Sequence, residues 1–242
     1  MGLGRFPAIL DTVPEHQNDR PALHRILPSP ASPTTVRDAS SVERTPHPHR
    51  PGIGLCMVSS LDGSVTLDGT SGGLGNPNDV EVLLTLRDLA EVVLVGAGTV
   101  SGEGYGPPRL PGKRIGVVTN SGEVDVDTEL FRSGAGFVIT AERTTVPDGI
   151  DVLRAGVERV DLALAVTRLH EHVPGVRYAQ AEGGPTLNGS QLDHDLIDEI
   201  DMTLSHKQVR RDGPSLTIGA TENDSRISLA HVLADYEGYE FT

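Results

Sequence analysis

The chain has 242 residues, with 20 Lys and Arg against 34 Asp and Glu, so its formal net charge at pH 7 is −14. That balance argues against a nucleic-acid partner or an anionic membrane surface, since both require a positive field. No stretch approaches the ~18 consecutive apolar residues of a transmembrane helix, and residues 1–10 contain no hydrophobic signal core. We therefore expect a cytoplasmic protein without a membrane partner.

The first fifth of the chain is rich in proline. Nine of the 17 prolines fall within the first 51 residues. Proline removes a backbone donor and restricts the residue before it, so regular structure is not expected to run far there. The composition predicts a partly ordered arm over residues 1–50, followed by one domain over residues 51–242.

From residue 53 onward, short runs of Val, Leu and Ile alternate with helical patterns. Strands are predicted at 53–58, 92–95, 114–118, 136–139, 176–181 and 198–204, with two more at 226–229 and 236–241. Helices are predicted at 78–89, 161–169 and 186–195. All-apolar strands alternating with helices indicate a three-layer α/β fold, with a mostly parallel sheet covered on both faces.

A glycine-rich turn follows the predicted strand at 92–95. The strand runs into Gly96, Ala97, Gly98 and Thr99, while Ser101 stands where the dinucleotide fingerprint G-x-G-x-x-G has its third glycine. Glycine at the carboxyl end of a parallel strand lets backbone N–H groups approach a phosphate. The pattern fits a phosphate-binding turn or a simple tight turn.

A second turn of the same kind follows the strand at 176–181. It contains Gly183 and Gly184, with Pro185 at a position that suits the first turn of a helix. Two such turns can clamp one pyrophosphate between them. Glu182 ends the strand, where its side chain either reaches the same cleft or is solvated.

The residues after the strand at 114–118 bear on the choice of nucleotide. An acidic residue at this point of a dinucleotide site binds the ribose 2′-hydroxyl. Here the chain continues Thr119-Asn120-Ser121, with hydroxyls and an amide instead of a carboxylate. The sequence therefore favours NADPH over NADH.

Several short motifs occur in an order that resembles a known family. They are Ser59-Ser-Leu-Asp-Gly63, Ser71-Gly-Gly73, Leu86-Arg87, Val95-Gly-Ala-Gly-Thr-Val100, Glu103, Glu182-Gly-Gly-Pro-Thr-Leu187 and Leu196-Ile-Asp-Glu199. Together they resemble the reductase domain of the bifunctional riboflavin-biosynthesis deaminase-reductase, over roughly residues 51–220. The resemblance implies a dihydrofolate-reductase-like fold and a homodimer. The single cysteine, Cys56, excludes the Cys-x-x-Cys zinc site of the deaminase half.

The resemblance implies an NADPH-dependent oxidoreductase of riboflavin biosynthesis. Its substrate is 5-amino-6-(5-phosphoribosylamino)uracil, a phosphorylated pyrimidine, and hydride passes to the ribosyl carbon. The coenzyme contacts that it implies are Val58, Thr99, Glu103, Ser121, Gly184, Pro185, Thr186 and Leu187, and the two glycine turns add Gly96, Ala97, Gly98 and Gly183. The implied substrate contacts are Leu74, Arg87, Arg109 and Glu182.

Three side chains have alternative interpretations. A guanidinium binds phosphate bidentately, so Arg87 is either a substrate ligand or a surface charge beside Asp88. Asp62 and Glu182 are the candidate catalytic residues, although Asp62 can instead hydrogen-bond its own turn. No histidine pair has the spacing of a helix-borne metal site, so no metal is expected. The alternatives to the uracil reductase are a reductase of a pterin or another pyrimidine, and a non-catalytic NADP-binding protein.

Overall fold

The structure is a computed structural model that describes residues 22–44, 47–210, 213–223 and 226–235. The strands are β1 (Leu23–Leu27), β2 (Ser32–Pro33), β3 (Gly52–Ser59), β4 (Val92–Gly96), β5 (Arg114–Val118), β6 (Gly136–Thr140), β7 (Val152–Arg154), β8 (Tyr178–Ala181), β9 (Glu199–Leu204) and β10 (Val232–Asp235). The helices are α1 (Val36–Ser40), α2 (Pro77–Leu89), α3 (Ala97–Glu103), α4 (Glu129–Arg132), α5 (Leu162–Arg168) and α6 (Pro185–Asp193), and a 3₁₀ turn follows α5 at Leu169–Glu171.

Seven strands form one sheet in the order β7-β6-β5-β4-β8-β3-β9. Every neighbouring pair in this sheet is parallel. Strand β8 lies between β4 and β3, although it follows them by many residues in the chain. The two strands that precede the glycine turns, β4 and β8, are therefore direct neighbours, and their carboxyl ends lie side by side at the same end of the sheet.

Alternate residues of the central strands enter two different cores. Val92 and Leu94 pack with the α5 side of the sheet, where Leu169 is fully buried. Val93 and Val95 pack on the opposite face with side chains from α3 and α4. Because successive side chains of a strand point to opposite faces, an all-apolar strand is a strand covered on both sides. The predicted three-layer α/β architecture is confirmed.

Helix α2 begins where local chemistry predicts a helix start. The Asn76 side chain accepts from the backbone N–H groups of Asn78 and Asp79, and Pro77 takes the first helical position. Its apolar spacing buries Leu86 completely. This helix carries Arg87 in its last turn and thereby directs that side chain toward the end of β8.

The prediction of a strand at 226–229 is wrong. These residues form no strand, and Ile227 and Leu229 are exposed. Their alternation resembles that of a strand, but no strand in the described part of the chain pairs with it. The observed strand, β10, lies a few residues later and pairs antiparallel with β1. The prediction at 236–241 lies outside the described residues.

The described part of the proline-rich arm forms β1, β2 and α1. Strands β10, β1 and β2 make a small second sheet. Two arginines connect the arm to the main sheet, since Arg44 pairs with Glu199 at 2.8 Å and Arg50 pairs with Asp198 at 2.6 Å. Across the described ranges, no helix is long and apolar enough to cross a membrane.

Candidate active site

The two glycine turns touch each other. The Gly96 N–H donates to the Gly183 carbonyl oxygen at 2.7 Å. A Cβ at Gly96 would lie 3.3 Å from the Gly184 nitrogen, and a Cβ at Gly184 would lie 2.8 Å from Oγ1 of Thr99. Side chains at these two positions would crowd the contact, and the turns form one continuous backbone surface.

This backbone surface presents hydrogen-bond donors. The first turn of α6, a nine-residue helix, leaves the N–H groups of Thr186 and Leu187 without intrahelical acceptors. Gly183 adopts φ +83°, and the peptide that joins it to Gly184 is cis. The glycines leave a space that side chains would fill, and the N–H groups at the start of α6 line it. Such a site fits the diphosphate of a dinucleotide.

A cleft of about 1130 Å³ opens beside the first turn. Its lining begins at Ala97 and Gly98, follows α3, and continues through the loop after β5, which contains Ser121, to α4 and Pro147. A volume of this size accommodates a nucleoside-sized group. The cleft therefore joins two of the regions that the sequence predicts as coenzyme contacts, α3 and Ser121.

The cleft also contains carboxylates, which lie beyond the segment Thr119-Asn120-Ser121. Gly122, at φ +75°, turns the chain after Ser121. Glu123 and Asp125 line the cleft, together with Glu129 of α4, and none of its lining residues is Lys or Arg. The first of these carboxylates, Glu123, stands two residues after Ser121 in the chain.

Arg87 and Glu182 form a buried ion pair at the end of β8. The Arg87 Nε donates to Oε1 of Glu182 and its Nη2 donates to Oε2, both at 2.6 Å. The hydroxyl of Tyr105 also donates to Oε2 at 2.6 Å. The side chains of Arg87 and Glu182 are 11% and 2% exposed, so the interpretations of Arg87 as a surface charge and Glu182 as a solvated acid are wrong.

The electrostatics of this cluster keep Arg87 charged. Burial disfavours its cation, but the attraction of Glu182 outweighs burial, and the pKa of Arg87 is raised above its ordinary value. Burial, followed by the charge of Glu182, raises the pKa of Tyr105 well above its ordinary value. Tyr105 therefore stays protonated and acts as the hydrogen-bond donor to the carboxylate.

Asp62 occupies the turn after β3. Its carboxylate accepts from the Ser60 hydroxyl at 2.6 Å and from the backbone N–H groups of Val209 and Arg210 at 3.0 and 2.8 Å. These bonds, that of Ser60 first, lower its pKa to about 2. An acid of this strength is ionised at neutral pH and has no proton to give. The contacts favour the turn role over the role of a proton donor.

The remaining predicted residues occupy varied settings. Arg109 is paired with Asp88 at 2.6 Å and is 39% exposed, while Glu103 accepts from the Ser71 N–H at 2.7 Å. Val58 and Leu74 are buried. Within the described ranges, no cluster of three or more His, Cys, Asp or Glu side chains has a metal-binding arrangement.

Tyr105 is the polar residue of this cluster that sequence analysis missed. It stands in Gly104-Tyr105-Gly106, a segment with no periodic pattern. Aromatic residues make up only 3% of the chain. A tyrosine between two glycines, shortly after a predicted phosphate turn, is therefore unusual here, and it is the one signal in the sequence that points to this residue.

The parallel sheet, the touching glycine turns and the nucleotide-sized cleft define a three-layer α/β protein with a candidate nucleotide site. The family model of the RibD C-terminal domain matches residues 51–239. The chain belongs to this family, and it is an oxidoreductase that acts on a pyrimidine, as its resemblance predicted.

Three relatives illustrate the similarity. The 2,5-diamino-6-ribosylamino-4(3H)-pyrimidinone 5′-phosphate reductase of Methanothermobacter thermautotrophicus is 28% identical over 173 residues, which cover 64% of this chain and 78% of the relative. A pyrimidine reductase-like protein of Corynebacterium diphtheriae superposes with a TM-score of 0.67 at 22% identity, covering 79% of this chain and 90% of that one. The riboflavin biosynthesis reductase Rib7 of Saccharomyces cerevisiae gives a TM-score of 0.59 at 22% identity, with coverages of 81% and 92%. These two structures share the fold.

Proposed function

We propose that the protein reduces a phosphorylated ribosylaminopyrimidine in riboflavin biosynthesis, with NADPH as the coenzyme. The observation that carries this proposal is the family match over residues 51–239. The contact between the two glycine turns supports it. The substrate candidates are 5-amino-6-(5-phosphoribosylamino)uracil and the diaminopyrimidinone 5′-phosphate that the archaeal relative reduces.

The coenzyme supplies the hydride, and the protein supplies its position. The N–H groups at the start of α6 hold the diphosphate, and Gly96 and Gly184 leave room for it. Ser121 and the cleft beside α3 hold the adenosine end. This arrangement leaves the carboxyl ends of β3 and β8 to the nicotinamide and the substrate.

On the substrate side, the structure suggests a division of roles between two arginines. Arg87 is held by Glu182 at Nε and Nη2, so a phosphate would have to displace a buried carboxylate to bind this edge of the guanidinium. Arg109 is more exposed, and its contacts with Asp88 are less costly to exchange. We assign the phosphate to Arg109 and the hydroxyl or amino groups of the substrate to Glu182.

The edge of the sheet supports a homodimer. Strand β9 ends the seven-stranded sheet and pairs only with β3 among the described strands. Met202 and Leu204 on this strand are 41% and 64% exposed. An open edge with exposed apolar side chains favours pairing with a second chain. Light scattering tests this, since a monomeric mass at micromolar concentration contradicts it.

The decisive test of function is the oxidation of NADPH with each candidate substrate, followed by nicotinamide absorbance. We expect turnover with one of the two ribosylaminopyrimidine phosphates and none with dihydrofolate. Turnover with dihydrofolate alone would favour the pterin alternative. NADPH binding without oxidation by any substrate would favour a non-catalytic protein.

Glu182→Gln provides a sharper form of the same test. The substitution keeps the shape but removes the negative charge that faces Arg87. We expect depressed turnover and nearly unchanged NADPH affinity. Glu171→Gln is the matched control, because Glu171 forms a half-exposed pair with Arg168 away from the glycine turns. Wild-type turnover in Glu182→Gln would remove Glu182 from the site.

A further inference from the structure

Tyr105 makes contacts that the proposed reaction leaves unexplained. It follows α3 directly after Gly104, which ends the helix in the left-handed conformation at φ +68°. This turn directs the side chain into the protein, where it is 8% exposed. Its hydroxyl ends 2.6 Å from Oε2 of Glu182. A tyrosine from the α3–β5 connection thus reaches the end of β8.

The ring of Tyr105 contacts the other member of the ion pair. The guanidinium carbon of Arg87 lies 4.9 Å from the ring centroid, within the range of a cation–π contact. The same residue lines the cleft beside α3. One side chain therefore touches Arg87, Glu182 and the cleft in which we place the adenosine end of the coenzyme.

Three hydrogen bonds fix the orientation of the Glu182 carboxylate. Oε2 accepts from Arg87 and from Tyr105, whereas Oε1 accepts from Arg87. A carboxylate held by three charge-assisted bonds has little freedom to rotate. Among these contacts, Oε1 receives one donor fewer and keeps the greater capacity to accept from a substrate group.

We propose that Tyr105 is a positioning residue, whose hydroxyl fixes the Glu182 carboxylate and whose ring fixes Arg87 for contact with the pyrimidine substrate. This inference rests on the proposed function, because it assigns Glu182 a substrate contact. Its physical basis is that small displacements of a substrate-positioning group reduce the rate strongly.

The test compares Tyr105→Phe with Tyr178→Phe. The first variant removes one hydroxyl and keeps the ring over Arg87. The second removes a buried hydroxyl on β8 that packs against Gly54 and lies outside the Arg87–Glu182 cluster. We expect kcat/KM for the pyrimidine substrate to fall about 10- to 100-fold in Tyr105→Phe, as for a lost hydrogen bond to a charged group. We expect NADPH affinity within about twofold of wild type, and little change in either quantity for Tyr178→Phe.

A double-mutant cycle separates positioning from simple packing. The effect of Tyr105→Phe on kcat/KM should shrink in a Glu182→Gln background, because Tyr105 acts through Glu182. The cycle remains informative if Tyr105→Phe is less stable than wild type. A general loss of stability would lower kcat/KM by the same factor with and without Glu182→Gln.

Three results would overturn the inference. They are wild-type kcat/KM in Tyr105→Phe, an equal loss of NADPH affinity and substrate turnover, and full additivity with Glu182→Gln. Failure of the proposed function gives a different outcome. In that case the wild-type protein itself does not oxidise NADPH with either ribosylaminopyrimidine phosphate, and the inference falls with it.

Discussion

The proposed coenzyme side and the proposed substrate side of the candidate active site are built from different materials. The coenzyme side is backbone, in which two glycine turns touch through a peptide hydrogen bond between Gly96 and Gly183. The substrate side is a set of side chains, Arg87, Glu182 and Tyr105, which come from three separate elements. The backbone site tolerates few substitutions because of space, whereas the side-chain site depends on balanced charge.

The largest effect is expected from breaking the buried charge balance. Arg87→Met leaves the Glu182 carboxylate buried without its cation, so we expect the free energy of unfolding to fall by about 3–5 kcal/mol. Denaturant unfolding measures this change. Arg132→Met is the control, since the ion pair of Arg132 with Asp127 is largely exposed and should contribute less than about 1 kcal/mol. Similar losses in both variants would contradict the difference between buried and exposed pairs.

On the coenzyme side, the expected loss is smaller and steric. Gly183→Ala places a side chain at φ +83° with its Cβ 3.1 Å from Sδ of Met57. We expect a cost of about 1–3 kcal/mol in unfolding free energy, together with weaker NADPH binding. Gly102→Ala, in α3 with open space around its Cβ, should be neutral or slightly stabilising. Unimpaired NADPH binding by Gly183→Ala would show that the turn does not hold the coenzyme.

The charge of the cleft gives a milder prediction about nucleotide choice. Glu123 lines the cleft and is exposed, so it opposes a 2′-phosphate only through screened repulsion. Glu123→Gln should tighten NADPH binding by roughly two- to fivefold and leave NADH binding unchanged, with the gain decreasing as salt increases. Fluorescence titration of both coenzymes measures this. Equal changes for NADPH and NADH would show that Glu123 does not face the 2′ position.

Asp62 should have the smallest effect on the pH dependence of activity. Its pKa in the folded protein is about 2, below the usual aspartate value of about 3.9. The contribution of the ionised Asp62 carboxylate to folding stability is therefore complete above the pKa of the unfolded chain, and it is lost as the pH falls toward 2. Asp62→Asn should reduce stability equally at every pH from 5 to 9 and leave the shape of the activity profile unchanged. A change in the acidic side of the activity profile of Asp62→Asn would instead indicate that Asp62 is a catalytic acid.

Short-range patterns determined most of the fold. The strand at 114–118 was predicted at its observed bounds, and α2 was placed within one residue. Strand β7 has three residues and helix α4 has four, so neither contains enough periodicity to be recognised. The glycine turns could be predicted because a strand that ends in glycine is a local signal.

The side-chain partnerships were decided by the tertiary structure alone. Arg87 and Glu182 are separated by 95 residues, Tyr105 and Glu182 by 77, and Asp62 and Val209 by 147. The contacts of Glu182 form because β8 inserts between β4 and β3, and the contact of Asp62 with Val209 forms because β9 pairs with β3. Sheet order is a property of long-range packing. The sequence thus determined the longer elements of the main sheet and the positions of the two glycine turns. Only the assembled sheet decided which charges face each other, since that depends on distances that no local pattern encodes.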